Sequence, residues 1–217
     1  RVLVECAAAR DTWGTRRTTK VIHNILLFDP TWGTNCYDMK LSMFVTISSE
    51  GESKILAYML HHEESYPDVY WGLRCFHVVF IHPPSTFMTD AGAGILKAAA
   101  KMTMLEMPWY STTHLLCVYH IDQNYYEHIR PLFQNDSEKW QVVHNMFWRI
   151  AKDSDIAERQ YVLQRIDSIK AYVNQYGKGK SKSKVLQWID NTLASHIEQW
   201  AAAYTWSHFS ADAHASV

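Results

Sequence analysis

A change of period part-way along the chain limits its folds more than any other feature. Up to about residue 135 the apolar residues come in short runs separated by turn residues, and from Asp136 onward they recur at three- and four-residue steps. Short runs rich in Val, Ile, Leu and Phe read as strands, whereas stripes at a spacing near 3.6 read as amphipathic helices. The chain of 217 residues, 47% of them hydrophobic, is long enough to bury a sizeable core around both kinds of element.

In the first part, residues 21–29 read as a buried strand closed by Pro30, which pushes Asp29 into an extended conformation. Residues 41–48 and 54–60 read as two more strands. Glu50-Gly51-Glu52 between them is short enough for a hairpin, so the three predict an antiparallel meander. Val69, Leu73, Phe76 and Phe80 fall at helical spacing, with Pro67 suited to the first turn. Residues 86–89 read as a fourth strand, 92–101 as a second helix and 113–118 as a fifth strand, followed by a helix through Phe133. The later strands need crossovers to pair in parallel, so this order predicts an α/β fold, a mixed five-stranded sheet flanked by helices.

The second part predicts an all-helical subdomain. Its stripes are Trp140, Val143, Phe147 and Ile150; then Leu163, Ile166, Ile169 and Val173; then Val185, Ile189, Leu193, Ile197 and Trp200. Between the last two, "YGKGKSKSK" reads as a flexible basic loop. The organisation expected is a lead-in segment over 1–20, an α/β core over 21–135 and a helical insertion over 136–217. No repeat of 20 to 50 residues is evident, and the tail "SADAHASV" is too short to classify.

Composition narrows the function classes. No apolar run approaches the roughly 20 residues that cross a bilayer, and the opening residues lack the layout of a secretory signal, which argues against a membrane role. The chain opens on Arg1, as an excerpt of something longer would. Cys6, Cys36, Cys75 and Cys117 lack paired spacing, which fits a reducing compartment, cytosolic or nuclear. The net charge is −1, so a polyanion would have to be held by local clusters of Lys and Arg.

Two acids stand at strand ends. Asp29 closes the first strand and Asp90, in "TFMTDAGAG", closes the fourth and precedes a helix. If those strands are neighbours, the carboxylates meet in one crevice, an arrangement suited to a pair of Mg²⁺ ions roughly 3.5 to 4 Å apart. Carboxylates serve there because Mg²⁺ prefers hard oxygen ligands. Each acid also has a plainer reading: Asp90 as a helix cap, Asp29 as the opener of a turn.

Four blocks resemble, in order, those of the MULE (Mutator-like element) transposases, a DDE group with a ribonuclease-H-like fold. "FDPTWGTNCYDMKL" resembles the first-aspartate block, "EESYPDVYWGL" a block in which Glu64 precedes a helix bearing Trp71, "FMTDAGAGILKAA" the second-aspartate block, and "HLLCVYHIDQN" the Cys-x-x-His block. Together they cover about residues 22–133. The resemblance implies a ribonuclease-H-like core in which Asp29 and Asp90 bind Mg²⁺ or Mn²⁺, two ions in all, with Cys117 and His120 as the pair beside the site. His120 has a catalytic role on this reading, or orients a phosphate or an acid by hydrogen bonding; a buried Cys and a His at a helix start is the alternative.

Pro30 and Trp32 depart from the pattern, which has a small residue and a smaller aromatic there. The third acid of the family is a glutamate after a helical insertion, and the chain ends about where that segment would begin. Glu198 reads as an exposed helix residue, and Glu5 has no motif around it. A structural zinc site at Cys117 and His120 lacks two further ligands. In "HHEE", residues 61–64, adjacent side chains point to opposite faces and do not converge on one ion.

The resemblance further implies cleavage and strand transfer of DNA, transposon ends and target being the partners, in the nucleus, with homo-oligomers compatible. Lys178, Lys180, Lys182 and Lys184 would contact phosphates, or form a solvated linker. A transposase-derived DNA-binding regulator without catalysis is the second reading, and another ribonuclease-H-like nuclease the third.

Overall fold

Leu26 and Phe28 alternate with Ile25 and Leu27, and this two-residue period sets the first pair buried on one side of a sheet. The structure, a computed structural model, describes residues 3–6, 25–31, 35–47, 51–80, 82–134, 136–155 and 159–205. The expectations for residues 21–24, for Trp32 and Glu50, and for the tail lie outside them. Two compact units divide the chain, Arg1–Leu115 and Leu116–Val217.

The first unit holds strands β1 (Leu3–Cys6), β2 (Ile25–Thr31), β3 (Lys40–Ile47), β4 (Ser53–His61), β5 (Thr86–Thr89) and β6 (Thr113–Leu116), with helices α1 (Tyr66–Val79) and α2 (Ala93–Thr103). The sheet order is β1-β4-β3-β2-β5-β6. β2, β3 and β4 form the expected antiparallel meander, and β2 pairs in parallel with β5. All five expected strands are present, in the mixed arrangement that the ribonuclease-H-like resemblance implies. The four-residue β1, antiparallel to β4, adds a sixth strand from the segment read as a lead-in.

Pro30 does not close β2. The strand runs on to Thr31 against β3, with Pro30 opposite Ser42, whereas the pairing with β5 ends at Phe28. Beyond Phe28 that side of β2 has no β5 partner, and a residue without an N–H is tolerated there.

The core lies between the sheet and its two helices. Phe28 packs on Phe44 with ring centroids 5.1 Å apart, and Phe44 stacks on Phe76 of α1 at 4.5 Å. Val69, Leu73 and Phe76 from α1 meet Ile95, Ala98 and Met102 from α2 in the same cluster, as helical spacing predicts. Each such Phe contributes about 1.5–3 kcal/mol through burial.

The second unit is helical: α3 (Val118–Ile129), a 3₁₀ turn (Arg130–Leu132), α4 (Ser137–Lys152), α5 (Arg159–Tyr176), α6 (Lys182–Trp188), a π-helical segment (Ile189–Ala194) and α7 (Ile197–Trp200). Trp140, Val143, Phe147 and Ile150 are buried, as expected. On α5 the buried stripe is Val162, Ile166, Ile169 and Val173, and Leu163 is half exposed. One residue is about 100° of helix, so Val162 continues the four-three-four spacing and Leu163 leaves it.

Val185, Ile189, Leu193 and Ile197 are all buried at strict four-residue intervals. On an α-helix such steps drift roughly 40° each, and the wider π turn between them restores the common face. The basic loop is shorter than expected. Gly177 and Gly179, the latter at φ +114°, end α5, and α6 starts at Lys182, so Lys182 and Lys184 are helical.

Candidate active site

The β2–β5 register puts Leu27 opposite Met88 and Phe28 opposite Thr89. Asp29 follows Phe28 on β2 and Asp90 follows Thr89 just beyond β5, so each acid is the next residue after the last β2–β5 pair, on strands that run about 4.8 Å apart. Alternation along β2 sends Asp29 to the side opposite Phe28. The two sequence-distant acids thus each follow one member of the same strand pair.

The turn after β5 fixes Asp90. Its Oδ1 accepts a hydrogen bond from the Gly92 N–H at 3.0 Å. Gly92, not Asp90, is the N-cap of α2, so the cap reading is half right: Asp90 bonds the backbone two residues on, just outside the helix. On the other side Thr89 Oγ1 donates to the carbonyl of Asp90 at 2.7 Å. His114 Nε2 lies 3.0 Å from the same hydroxyl and so donates to it.

Glu64, in the turn between β4 and α1, reaches the same neighbourhood. A Cβ built on Gly92 would lie 3.2 Å from Asp90 Oδ1 and 3.6 Å from Glu64 Oε2, so both carboxylates border one small space. Glu64 Oε1 is 3.2 Å from Lys40 Nζ, an ion pair without the alignment of a hydrogen bond, and both side chains are largely buried. Within "HHEE" the side chains diverge as expected: His61 is buried against Ser42 and His62 is exposed.

The Asn of the first-aspartate block has a structural task. Asn35 Oδ1 accepts from the backbone N–H groups of Tyr37 and Met39, and its Nδ2 donates to the Met39 carbonyl, which closes the turn from β2 to β3. The sequence reading singles out none of Lys40, Ser42 and His114, and takes His61 only as part of "HHEE". Lys40, inside the first-aspartate block and the first residue of β3, carries no signal that separates it from an ordinary surface lysine.

Cys117 and His120 lie in the second unit. Cys117 is the N-cap of α3. Burial pushes its thiol up, but hydrogen bonds from the side chain and backbone of His120, the charge of His120 and the Tyr119 backbone together bring it below its ordinary value. Glu198 is exposed on α7.

Of the four lysines, Lys178 and Lys180 occupy the turn and Lys182 and Lys184 begin α6. Lys182 Nζ donates to the carbonyl of Asn174 near the end of α5. Lys178 borders a cavity of about 460 Å³ whose other walls include Asp136, Glu138 and Tyr176, so its surroundings are mixed in charge.

Residues 25–124 match the MULE transposase domain. The match runs from the start of β2 into α3 and includes Asp29, Glu64, Asp90, Cys117 and His120. No curated protein matches the chain. Among solved structures the chain is similar to the HTLV-2 integrase catalytic core domain, solved in complex with magnesium in a trimeric form. Identity is 14% and the TM-score 0.30, over 60% of this chain and 87% of that one.

Among the described residues no three His, Cys, Asp or Glu side chains gather as a ready metal site. Mg²⁺ does not require such a cage, since it is commonly held by one or two carboxylates together with waters and substrate phosphates. Asp29 and Asp90 are hard oxygen donors that flank the Phe28–Thr89 pair, and suit that mode. Among the described residues no helix is long and apolar enough to cross a membrane.

Proposed function

We propose that the MULE-matching segment is the core of a DDE-type transposase that cuts DNA and joins its 3′ hydroxyl to a target. The observation that supports this reading is the β2–β5 register, whose last pair, Phe28–Thr89, is followed on one side by Asp29 and on the other by Asp90. Both would hold Mg²⁺ or Mn²⁺, which when bound supplies positive charge for the attacking and departing oxygens of an in-line phosphoryl transfer. The chain's own residues prepare the acids. The Gly92 N–H orients the Asp90 carboxylate, and the Thr89 hydroxyl, backed by His114, steadies the peptide that follows it. Lys40 balances the charge of Glu64, which limits repulsion between Glu64 and Asp90. DNA is the substrate on this reading, the lysines of the α5–α6 turn are phosphate contacts, and a nuclear location follows from the role.

The test is nicking of supercoiled plasmid and transfer of an oligonucleotide 3′ end, with Mg²⁺ or Mn²⁺. Asp29→Ala and Asp90→Ala should each lower the rate by at least about 100-fold, since either removes a charged group from the reacting centre. Undiminished activity in either variant would refute the assignment.

A second reading is a transposase-derived DNA-binding regulator. It draws support from the Lys40–Glu64 pair, which neutralises the third carboxylate of the region. That reading expects DNA binding unchanged by EDTA and by both aspartate variants.

A further inference from the structure

The two aspartates are connected by a second route that does not use the β2–β5 pairing. His61, the last residue of β4, is fully buried. Its Nδ1 lies 2.7 Å from the carbonyl oxygen of Glu63 and its Nε2 lies 2.7 Å from Ser42 Oγ. A carbonyl oxygen can only accept, so Nδ1 carries the proton, and in the neutral ring Nε2 accepts from the Ser42 hydroxyl. Ser42 is itself buried, and on β3 it pairs with Pro30, one step from the Asp29–Met43 pair. The imidazole therefore ties the strand ends beside Asp29 to the turn between β4 and α1.

That turn in its own right seats α2. A Cβ at Gly94 would lie 1.9 Å from the carbonyl oxygen of Glu64 and 2.9 Å from atoms of the Ser65 and Tyr66 backbone, so helix rests on turn, backbone to backbone. Two residues before Gly94, Gly92 gives its N–H to Asp90. The chain of neighbours runs from Asp29 through Met43 and Ser42 to His61, then through Glu63 and Glu64 to Gly94 and Asp90. It closes a ring with the Phe28–Thr89 pair that precedes both acids, and a ring resists shear that a single pairing allows.

We infer that His61 is a positioning residue that sets Asp90 relative to Asp29 through this ring. Both its nitrogens are engaged, so its influence passes through Ser42 and the Glu63 carbonyl. The consequence for metal binding rests on the transposase reading; the geometric consequence does not.

The experiment uses the full chain with Mn²⁺ as probe, by calorimetry, together with the ¹⁵N-edited NMR resonance of the Gly92 amide and the Tm of each variant. Ser42→Ala, which removes one hydroxyl and leaves the strand backbone intact, should move the Gly92 resonance and weaken Mn²⁺ binding about tenfold, as outer-shell changes do. His61→Phe should do both more strongly. His61→Asn, whose amide nitrogen can take the place of Nδ1 toward the Glu63 carbonyl, should recover part of the affinity.

If Ser42→Ala and His61→Asn lower Tm yet leave the Gly92 resonance and the Mn²⁺ affinity as in the parent, His61 is a packing residue and the inference is overturned. Ser42→Ala carries the test if His61→Phe does not fold. Asp29→Ala and Asp90→Ala separate the two ideas. Mn²⁺ binding that persists in both sinks the metal reading, while the Gly92 resonance still decides the role of His61.

Discussion

Gly94 and Gly72 sit where a side chain would collide, and the nature of the obstacle decides what each can accept. A Cβ at Gly94 meets the backbone of Glu64 at 1.9 Å, whereas one at Gly72 meets the sulfur of Met59 at 2.2 Å. Backbone at the start of a helix cannot step aside without moving the turn, but a methionine side chain has three rotatable bonds with which to do so. Gly94→Ala should therefore cost about 3 kcal/mol, the upper end of overpacking penalties, and Gly72→Ala nearer 1 kcal/mol. Urea unfolding of the two variants checks the order; equal losses would show that the α2 seat is looser than its geometry. The sequence displayed the two aspartates because each closes an apolar run, and it displayed Gly94 only as part of "AGAG". It could not display Ser42 against His61, because a hydrogen bond across nineteen residues leaves no periodic trace.

At the scale of elements, helix starts show how a charge can serve a fold. Asp136 caps α4, accepting from the backbone N–H of Lys139 at 3.0 Å while the Lys139 ammonium bonds its other oxygen. The side-chain bond from Lys139, followed by the backbone bond, holds the Asp136 carboxyl below its ordinary value. Because the folded value is the lower one, this contribution is fully present above the unfolded pKa, near 4, and fades as pH falls through the folded value. The urea midpoint should therefore drop between pH 6 and pH 2.5, by less in Asp136→Asn than in the parent; an identical drop would exclude the cap as a contributor. Asp153, held low first by its bond from Arg165, shifts in the same direction and adds to the parent's slope in both proteins. The same element scale explains where pattern reading succeeded and where it slipped. Val69, Leu73 and Phe76 were legible on α1 because burial on one side imposes a helical period. Leu163 misled because two adjacent aliphatic residues, Val162 and Leu163, compete for one stripe and only neighbours in space choose between them. Pro30 misled because local preference favours a strand end there, while the missing partner on the β5 side removes the penalty.

For the whole molecule, charge distribution matters more than its sum. A net charge of −1 gives DNA no general attraction, so on the proposed reading binding would come from clusters such as Lys178, Lys180, Lys182 and Lys184. If these lysines meet phosphates, replacing all four with Gln should weaken DNA binding most at low salt and reduce the slope of log K against log salt by about 0.9 for each duplex phosphate left without its ammonium partner. A slope equal to the parent's would assign them to the solvent-facing turn alone. The arrangement of strands carries a further consequence. Among the described residues the sheet is bounded by β1 and β6, each four residues long. Margins so short offer an incoming strand few unsatisfied amides and carbonyls to grip. Copies of the chain brought side by side would therefore find little template on these margins for a continuous cross-β ribbon.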